Sequence, residues 1–581
     1  MQRIVNPQQT RLFDPFDAVL TEKTRKCLLD DWPGVFRHVI LELMPIDALS
    51  GHYSPDMGRP TKELYSMAGL ILLMEFKHWT KAEALGAYRF HMDVHYALNM
   101  EPVTHDLAKR TLERYIRHFE MDDLAQKVLH DVTIELAKLL ELKIDKQRLD
   151  STHVFSDMAS FGRTRLMGVT IKRFLTQVKR HSPADYEALD ETLRQRYAPS
   201  VHQLFGDTGK DKESRRQLRQ QVAEDMYTFI GQFAQSDEHT RRDSYKAMER
   251  IFHEQCEVVQ SSEGKDTVTV KKKTSGDVMQ NPSDPDATYD GHKGPGYQVQ
   301  IVETCHPDNE VQLITSALAQ TAVVSDAHAV EPVLEDLKTS ELLPEELLAD
   351  TSYCSDQNVQ KAEQDHGVEL VGPASGTDQD TLPESLSIDE FNIDPQTEQV
   401  ICCPAGHEPL SSVHNSQTGK TRTAMSTDVC GQCEFLKDCP VQKGRDNYRL
   451  DHTVQQRRVA ARRLEESTDV FRERYRVRSG IEGTNSGLKR RMGLGRLRVR
   501  GKPRVFHAIY LKITGWNILR ASTCATIRDI VYERASKAVF GLHFWAWVSV
   551  EAYQRKFHHR SRQWTGTPSH FSAILGFRCY F

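Results

Sequence analysis

Between Lys143 and Pro373 apolar runs follow one another in an order that few folds accommodate: strand, hairpin, helix, strand, helix, strand. Lys143 to Val154 reads as a strand that ends on Leu149-Asp150-Ser151-Thr152-His153. Tyr297–Thr304 and Val311–Ala317 read as a hairpin turned at Pro307-Asp308-Asn309. Glu346–Ala349 leads as a short strand into Asp350, and Val368–Val371 is a strand closed by Gly372-Pro373. Helical periodicity is expected over Leu124–Leu140, Ala327–Thr339 and Ser355–His366. The class is therefore α/β, with two aspartates where strands meet solvent.

At 581 residues the chain exceeds one hydrophobic core several times over, which predicts two to four domains. The division expected is a helical N-terminal domain over 1–140, a first part of the α/β core over 141–373 with a helical insertion at 164–258, a linker and cysteine-rich insertion over 374–453, the last part of the core over 454–525 and a tail over 526–581. The insertion is polar and broken at Gly206-Asp207-Thr208-Gly209, and the linker is acidic and rich in turn formers such as Gly376, Pro383 and Pro395. Val454 to Lys489 reads as helical and basic, Phe506–Leu519 as an apolar helix, and the aromatic tail around Phe544 and Trp545 as core packing.

No run approaches the roughly 20 apolar residues of a membrane span, and Met1–Arg25 lacks the basic start and apolar core of a signal peptide, so a soluble cytoplasmic protein is expected. Net charge is only −5, yet its distribution is uneven. From Arg472 to Arg504 the chain carries Arg472, Arg474, Arg476, Arg478, Lys489, Arg490, Arg491, Arg496, Arg498, Arg500, Lys502 and Arg504 against Glu473 and Glu482 alone. A cluster so poor in acids suits a phosphate backbone, to which it gains affinity by releasing counterions; a solvated helix face is the plainer alternative. Asp106–Phe119, with Lys109, Arg110, Arg114, Arg117 and His118 on one side, leaves the same two readings open.

Two aspartates at strand ends and one glutamate on a later helix are what a pair of Mg²⁺ or Mn²⁺ ions needs: hard cations take oxygen ligands, and two of them about 4 Å apart can clamp the attacking and leaving oxygens of a phosphodiester displacement. Asp150, Asp350 and Glu482 are the candidates. As isolated residues, Asp150 could be a turn residue and Asp350 a helix N-cap. Glu482 has more context, because Tyr475, Arg478, Glu482 and Lys489 are spaced at 0, 3, 7 and 14, which places them within roughly 60° on one helix. That helix also contains Gly480, Gly483 and Gly487, each unfavourable by about 1 kcal/mol in a helix interior, as though DNA had to approach closely.

The spacing Tyr475-x2-Arg478-x3-Glu482-x6-Lys489 resembles the signature of the insertion-sequence DDE transposases of the fourth and fifth families. Gly58-Arg59-Pro60, Leu149-Asp150-Ser151-Thr152, Asp284-Pro285-Asp286-Ala287 leading to Gly296-Tyr297, and Ala349-Asp350-Thr351-Ser352-Tyr353 are similar to their 1182-type group, over about Phe16 to Leu519. The resemblance implies a ribonuclease-H-like core carrying Asp150, Asp350 and Glu482 as catalytic metal ligands. It also implies phosphate contacts from Tyr475, Arg478 and Lys489, and a helical N-terminal domain that binds the element's terminal inverted repeats. Its partners would be double-stranded DNA at element ends and target, with a homodimer pairing two ends and a nucleoid-associated location in a bacterium. Lys293 could reach DNA too, but a lone lysine in a glycine-rich loop is more often solvated, and it is left outside the set.

Eleven cysteines without a signal peptide favour metal over disulfides. Cys403 with Cys430-x2-Cys433-x5-Cys439 offers four thiolates for a structural Zn²⁺ in a zinc-ribbon-like insertion, with Cys402 and His407 competing for a place and unligated buried thiols as the alternative. A transposase that cleaves element ends and joins them to target DNA is the leading function. A transposase-derived DNA-binding regulator and a non-transposing nuclease are the alternatives.

Overall fold

The computed structural model describes residues 1–7, 14–205, 211–260, 266–375 and 386–536. The glycine break at 206–209, Gly376 and Pro383 of the linker, and the aromatic tail with Phe544 and Trp545 lie outside them.

Five strands form the body of the central sheet: β1 (Lys146–Val154), β2 (Gly294–Thr304), β3 (Ile314–Thr321), β4 (Glu346–Leu348) and β5 (Glu369–Val371). Their spatial order is β3-β2-β1-β4-β5, with a short strand at Thr288–Asp290 also paired to β2. The first three are antiparallel neighbours, whereas β4 and β5 run parallel to β1. A hairpin suffices for β2 and β3, but the parallel strands require crossovers, and the helices Val330–Thr339 and Asp356–His366 supply them. The expected order of elements is present, with the first strand beginning at Lys146 rather than Lys143.

One expectation is corrected. Asp150 is not at a strand end: it lies mid-strand, opposite Ile301 of β2. Solvent reaches it from the other edge, because β4 is three residues long and pairs only with Lys146–Arg148, leaving β1 beyond Arg148 without a strand partner on that side. Further along the same strand, Phe155 bridges to Arg496 in parallel.

The two faces of the sheet are covered differently. Ile301, Val299 and Tyr297 of β2 join one continuous apolar core with the helices of the N-terminal region, with Ile481 and Leu488, and with the helix Lys502–Ala521. Leu149 and Val302, alternating to the opposite face, pack against Val333, Leu334 and Leu337. The helix Leu64–Phe76 is buried on nearly every side, which explains why its sequence is apolar throughout rather than striped. The helix Lys109–Met121 is striped: Leu112, Tyr115, Ile116 and Phe119 are buried and Lys109, Arg110, Arg114 and Arg117 are exposed.

The insertion keeps a core of its own, including Met167, Phe174, Phe229 and Met248. Its helices begin at Arg163, and it closes on a two-stranded ribbon, Cys256–Gln260 with Asp266–Val270, so it is not wholly helical. The acidic connection is also more structured than expected. From residue 386 it folds into the cysteine module, where Phe391, Val400 and Leu450 form a small core beside a four-stranded antiparallel sheet.

Candidate active site

Three acids remote in sequence approach one guanidinium. Arg478 donates from Nη2 to Asp150 Oδ1 at 3.0 Å and lies 3.9 Å from Asp350 Oδ2, while its Nη1 is 3.7 Å from Glu482 Oε1. The acids grade outward, with side-chain exposures of 19% for Asp150, 49% for Asp350 and 70% for Glu482, so the cluster opens to solvent on the glutamate side. Asp150 is further held by Asn485, whose Nδ2 donates to Oδ2 at 3.0 Å. Burial raises the Asp150 pKa, Arg478 opposes that shift, and the charges of Asp350 and Asp326 add to it.

Each acid owes its place to local structure. Asp350 follows β4 by two residues and opens a turn, Tyr353 N–H donating to its carbonyl at 3.0 Å; it is not an N-cap, since Ser355 caps the helix Asp356–His366. The Val454–Lys489 region is not one helix. It divides into Val454–Glu466, Asp469–Tyr475, a 3₁₀ turn at Arg476–Ser479, and Gly480–Arg491, so Tyr475, Arg478 and Glu482 sit on three successive pieces. The backbone stays right-handed through the turn, and the tighter winding still delivers Arg478 between the acids.

A buried network fixes the glutamate helix on the sheet. Arg148 of β1 donates from Nε and Nη2 to Glu303 Oε2 at 2.9 and 2.5 Å, and from Nη1 to the Val477 carbonyl at 2.7 Å. Thr484, on the helix itself, donates to Glu303 Oε1 at 2.6 Å. Two of the three helix glycines answer to this packing rather than to DNA. A Cβ on Gly480 would stand 2.0 Å from Arg148 Nη1, and one on Gly487 would stand 2.3 Å from the Trp516 ring, whereas Gly483 faces open space.

Tyr475 stacks on Phe471 and donates its hydroxyl to the Ala349 carbonyl at 3.1 Å, next to Asp350; burial pushes its phenol up to about 12, so it stays a neutral donor. Lys489 projects on the Asp150 side, its ammonium pKa lowered by the packing around it and by Lys293. Of the basic cluster, Arg472, Arg474, Arg476, Arg498 and Arg504 have carboxylate partners besides Arg478. Among the described residues Lys489, Arg490, Arg491, Arg496, Arg500 and Lys502 have none.

Sequence reasoning missed Arg148, Glu303, Asn485 and Asp326. Asp326, on the turn before Val330–Thr339, accepts from Gln300 at 2.9 Å and from Ser151 at 3.3 Å, and its charge reaches Asp150. Nothing in the local pattern marks Arg148, Glu303 or Asp326, since each acts through a partner far away in the chain. Asn485 had a signal, at three residues beyond Glu482 on the same helix.

Cys403, Cys430, Cys433 and Cys439 line one small hollow together with His407, and Cys402 does not. Burial raises the Cys430 and Cys439 thiol pKa values, and the neighbouring thiols add to the shift. Among the described residues, the one group whose ligand atoms all lie within 4.8 Å of one another is Glu331, Glu335 and His366, on two neighbouring helices away from these sites. The two glutamates are an i, i+4 pair, but no spacing in the sequence connects them to His366.

The fold and site define a mixed α/β protein with solvent-facing carboxylates gathered beside a basic helix. Residues 402–521 match the transposase DDE domain family. The matched span takes in Cys402 to Cys439 of the cysteine module, Tyr475 to Lys489 and the buried helix Lys502–Ala521, and stops short of Asp150 and Asp350. No curated protein and no solved structure matches the chain. Over residues 402–521 the family match supports a transposase-type function. Among the described residues no helix is long and apolar enough to cross a membrane.

Proposed function

We propose that this chain cleaves the ends of a mobile DNA element and joins them to target DNA, using Asp150, Asp350 and Glu482 as the ligands of two divalent cations. The observation that carries this reading is the convergence of those acids, from segments 200 and 132 residues apart along the chain, on the single guanidinium of Arg478. The donor set is all oxygen, as Mg²⁺ or Mn²⁺ requires. When bound, such a pair polarises the phosphodiester and stabilises the charge on the entering and departing oxygens.

The 1182-type group is proposed on the sequence motifs, and the sheet suits a ribonuclease-H-like core: three antiparallel strands followed by two parallel to the first, with acids on the first and just after the fourth and a third on a later helix. In this reading Asp150 is the rigid member, fixed by Asn485 and Arg478, and Glu482 is the adjustable one. Arg478 holds the acids together until a phosphate takes over its charge, and Tyr475 and Lys489 grip the flanking backbone. Water attacks the phosphorus at the element end and the 3′ oxygen departs with a proton. That hydroxyl then attacks a target phosphodiester, one P–O bond forming as one breaks. The exposed basic side of Lys109–Met121 suits a DNA-end-binding role for residues 1–140, and a homodimer would bring two ends together.

For the cysteine module we propose a structural Zn²⁺ on Cys403, Cys430, Cys433 and Cys439. Four thiols around one hollow suit a closed tetrahedral site, which leaves no position for catalysis.

A strand-transfer assay tests the function. A duplex ending in the inverted repeat that flanks the coding region should be joined to plasmid DNA in the presence of Mg²⁺. Cutting without end preference or joining would point to a nuclease, and end binding without cutting to a regulator.

A further inference from the structure

Lys293, which sequence reasoning sets aside as a solvated loop lysine, reaches β1 at Ser151. It lies in the turn between Thr288–Asp290 and β2, where the Asp290 carboxylate accepts the backbone N–H groups of His292 and Lys293 at 2.8 and 2.6 Å. The turn returns through Gly296, whose φ of 150° brings it against β1 so closely that a Cβ would stand 2.5 Å from the Val154 carbonyl oxygen. The Lys293 backbone is therefore placed by the fold, and its Nζ donates to Ser151 Oγ at 3.2 Å.

Ser151 and Asp150 are consecutive on a strand and project to opposite faces of the sheet. Lys293 thus reaches the edge of β1 from the Ser151 face, and Lys489, whose charge acts on Asp150, reaches it from the other. The Lys489 stem runs beside Gly495, its Cγ 3.3 Å from where a Cβ on that glycine would be, and Gly495 accepts the Phe155 N–H at 3.1 Å. The Lys293 charge lowers the Lys489 pKa, and neither lysine forms an ion pair with a carboxylate among the described residues. Both charges act on His153, which is buried and whose Nδ1 has no hydrogen-bond partner among the described residues. The carboxylates of Asp150 and Asp290 act on the two lysines without pairing with them, so a phosphate can still gain from both charges, and the stretch of β1 beyond Arg148 has no strand partner on the side away from β2.

We propose that Lys293 and Lys489 form a two-sided clamp on a DNA backbone phosphate at the open edge of β1, which makes Lys293 a DNA-binding residue. This assignment rests on the transposase reading above. The clamp would hold the strand from both faces, Lys293 opposite Glu482 and Lys489 on the Glu482 helix, and limit sideways movement of the phosphodiester beside Asp150.

The test is the salt dependence of binding to a short fluorescein-labelled duplex without divalent metal, read by anisotropy. Each phosphate contact contributes about 0.9 to the slope of log K against log salt. Because the two lysines share one phosphate, Lys293→Ala and Lys489→Ala should each lower the slope by part of that amount and the double variant by about 0.9 in all, and Lys293→Arg should restore it. Lys338→Ala, an exposed lysine at the C-terminal end of the helix Val330–Thr339, should leave it unchanged. A wild-type slope in Lys293→Ala, or an equal loss in Lys338→Ala, would overturn the clamp while leaving the function standing. Failure of the wild-type protein to bind duplex DNA at all would overturn both.

Discussion

Replacing Arg148 by leucine isolates the interaction that holds the glutamate helix to the sheet. Arg148 and Glu303 form a pair with side-chain exposures of 11% and 1%, and Glu303 keeps only the Thr484 hydroxyl once the guanidinium is gone. A carboxylate left buried without its cation typically destabilises by about 3–5 kcal/mol, and the Val477 carbonyl loses its donor for about 1 kcal/mol more. Leucine keeps the apolar stem of the arginine and leaves room beside Gly480, so steric strain does not contribute. Changing Glu303 to leucine as well removes the stranded charge, and the double variant should recover most of the loss. Equilibrium urea unfolding of wild type, both single variants and the double variant gives the coupling energy. A cost below about 1 kcal/mol for Arg148→Leu, or a double variant no more stable than that single one, would refute the view that this buried pair fixes the Glu482 helix.

The helix glycines should separate in the same unfolding assay. Gly487→Ala, pressed against the buried Trp516 ring, should lose about 1–3 kcal/mol, whereas Gly483→Ala should be neutral or gain up to about 1 kcal/mol; the reverse order would contradict the packing. His38, whose pKa burial and then the charges of Arg37, Arg25 and Arg534 lower from 6.5 to about 3, is neutral in the folded protein. Its unfolded form takes up a proton first, so its contribution is complete above pH 6.5 and falls as pH drops, by about 2 kcal/mol at about pH 5. His38→Gln should flatten that part of the stability profile, and an unchanged profile would contradict the assignment. Metal analysis should find one zinc per chain, lost in Cys430→Ser with Cys433→Ser; an intact protein free of zinc would reject the module.

Periodicity made the sheet legible, because alternation and apolar run length are written locally. It also located Asp350, whose short strand is fully apolar at Leu347 and Leu348. What stayed hidden depends on pairing. Asp150 was misplaced to a strand end because nothing in Ser151–Val154 announces that β4 stops at Leu348 while β2 continues alongside. The Glu482 helix was read as continuous since its angular spacing suits an ideal helix, and a 3₁₀ turn leaves no mark in so regular a pattern. Gly480 and Gly487 looked like openings for DNA because their partners, Arg148 and Trp516, are remote in the chain.

The central claim is that Asp150, Asp350 and Glu482 act together on a phosphodiester. Its most direct measurement is Mg²⁺-dependent cleavage of an element-end duplex by Asp150→Asn, Asp350→Asn and Glu482→Gln, each checked for duplex binding. All three should bind DNA as wild type does and cut at background. Robust cleavage by any one of them would contradict it.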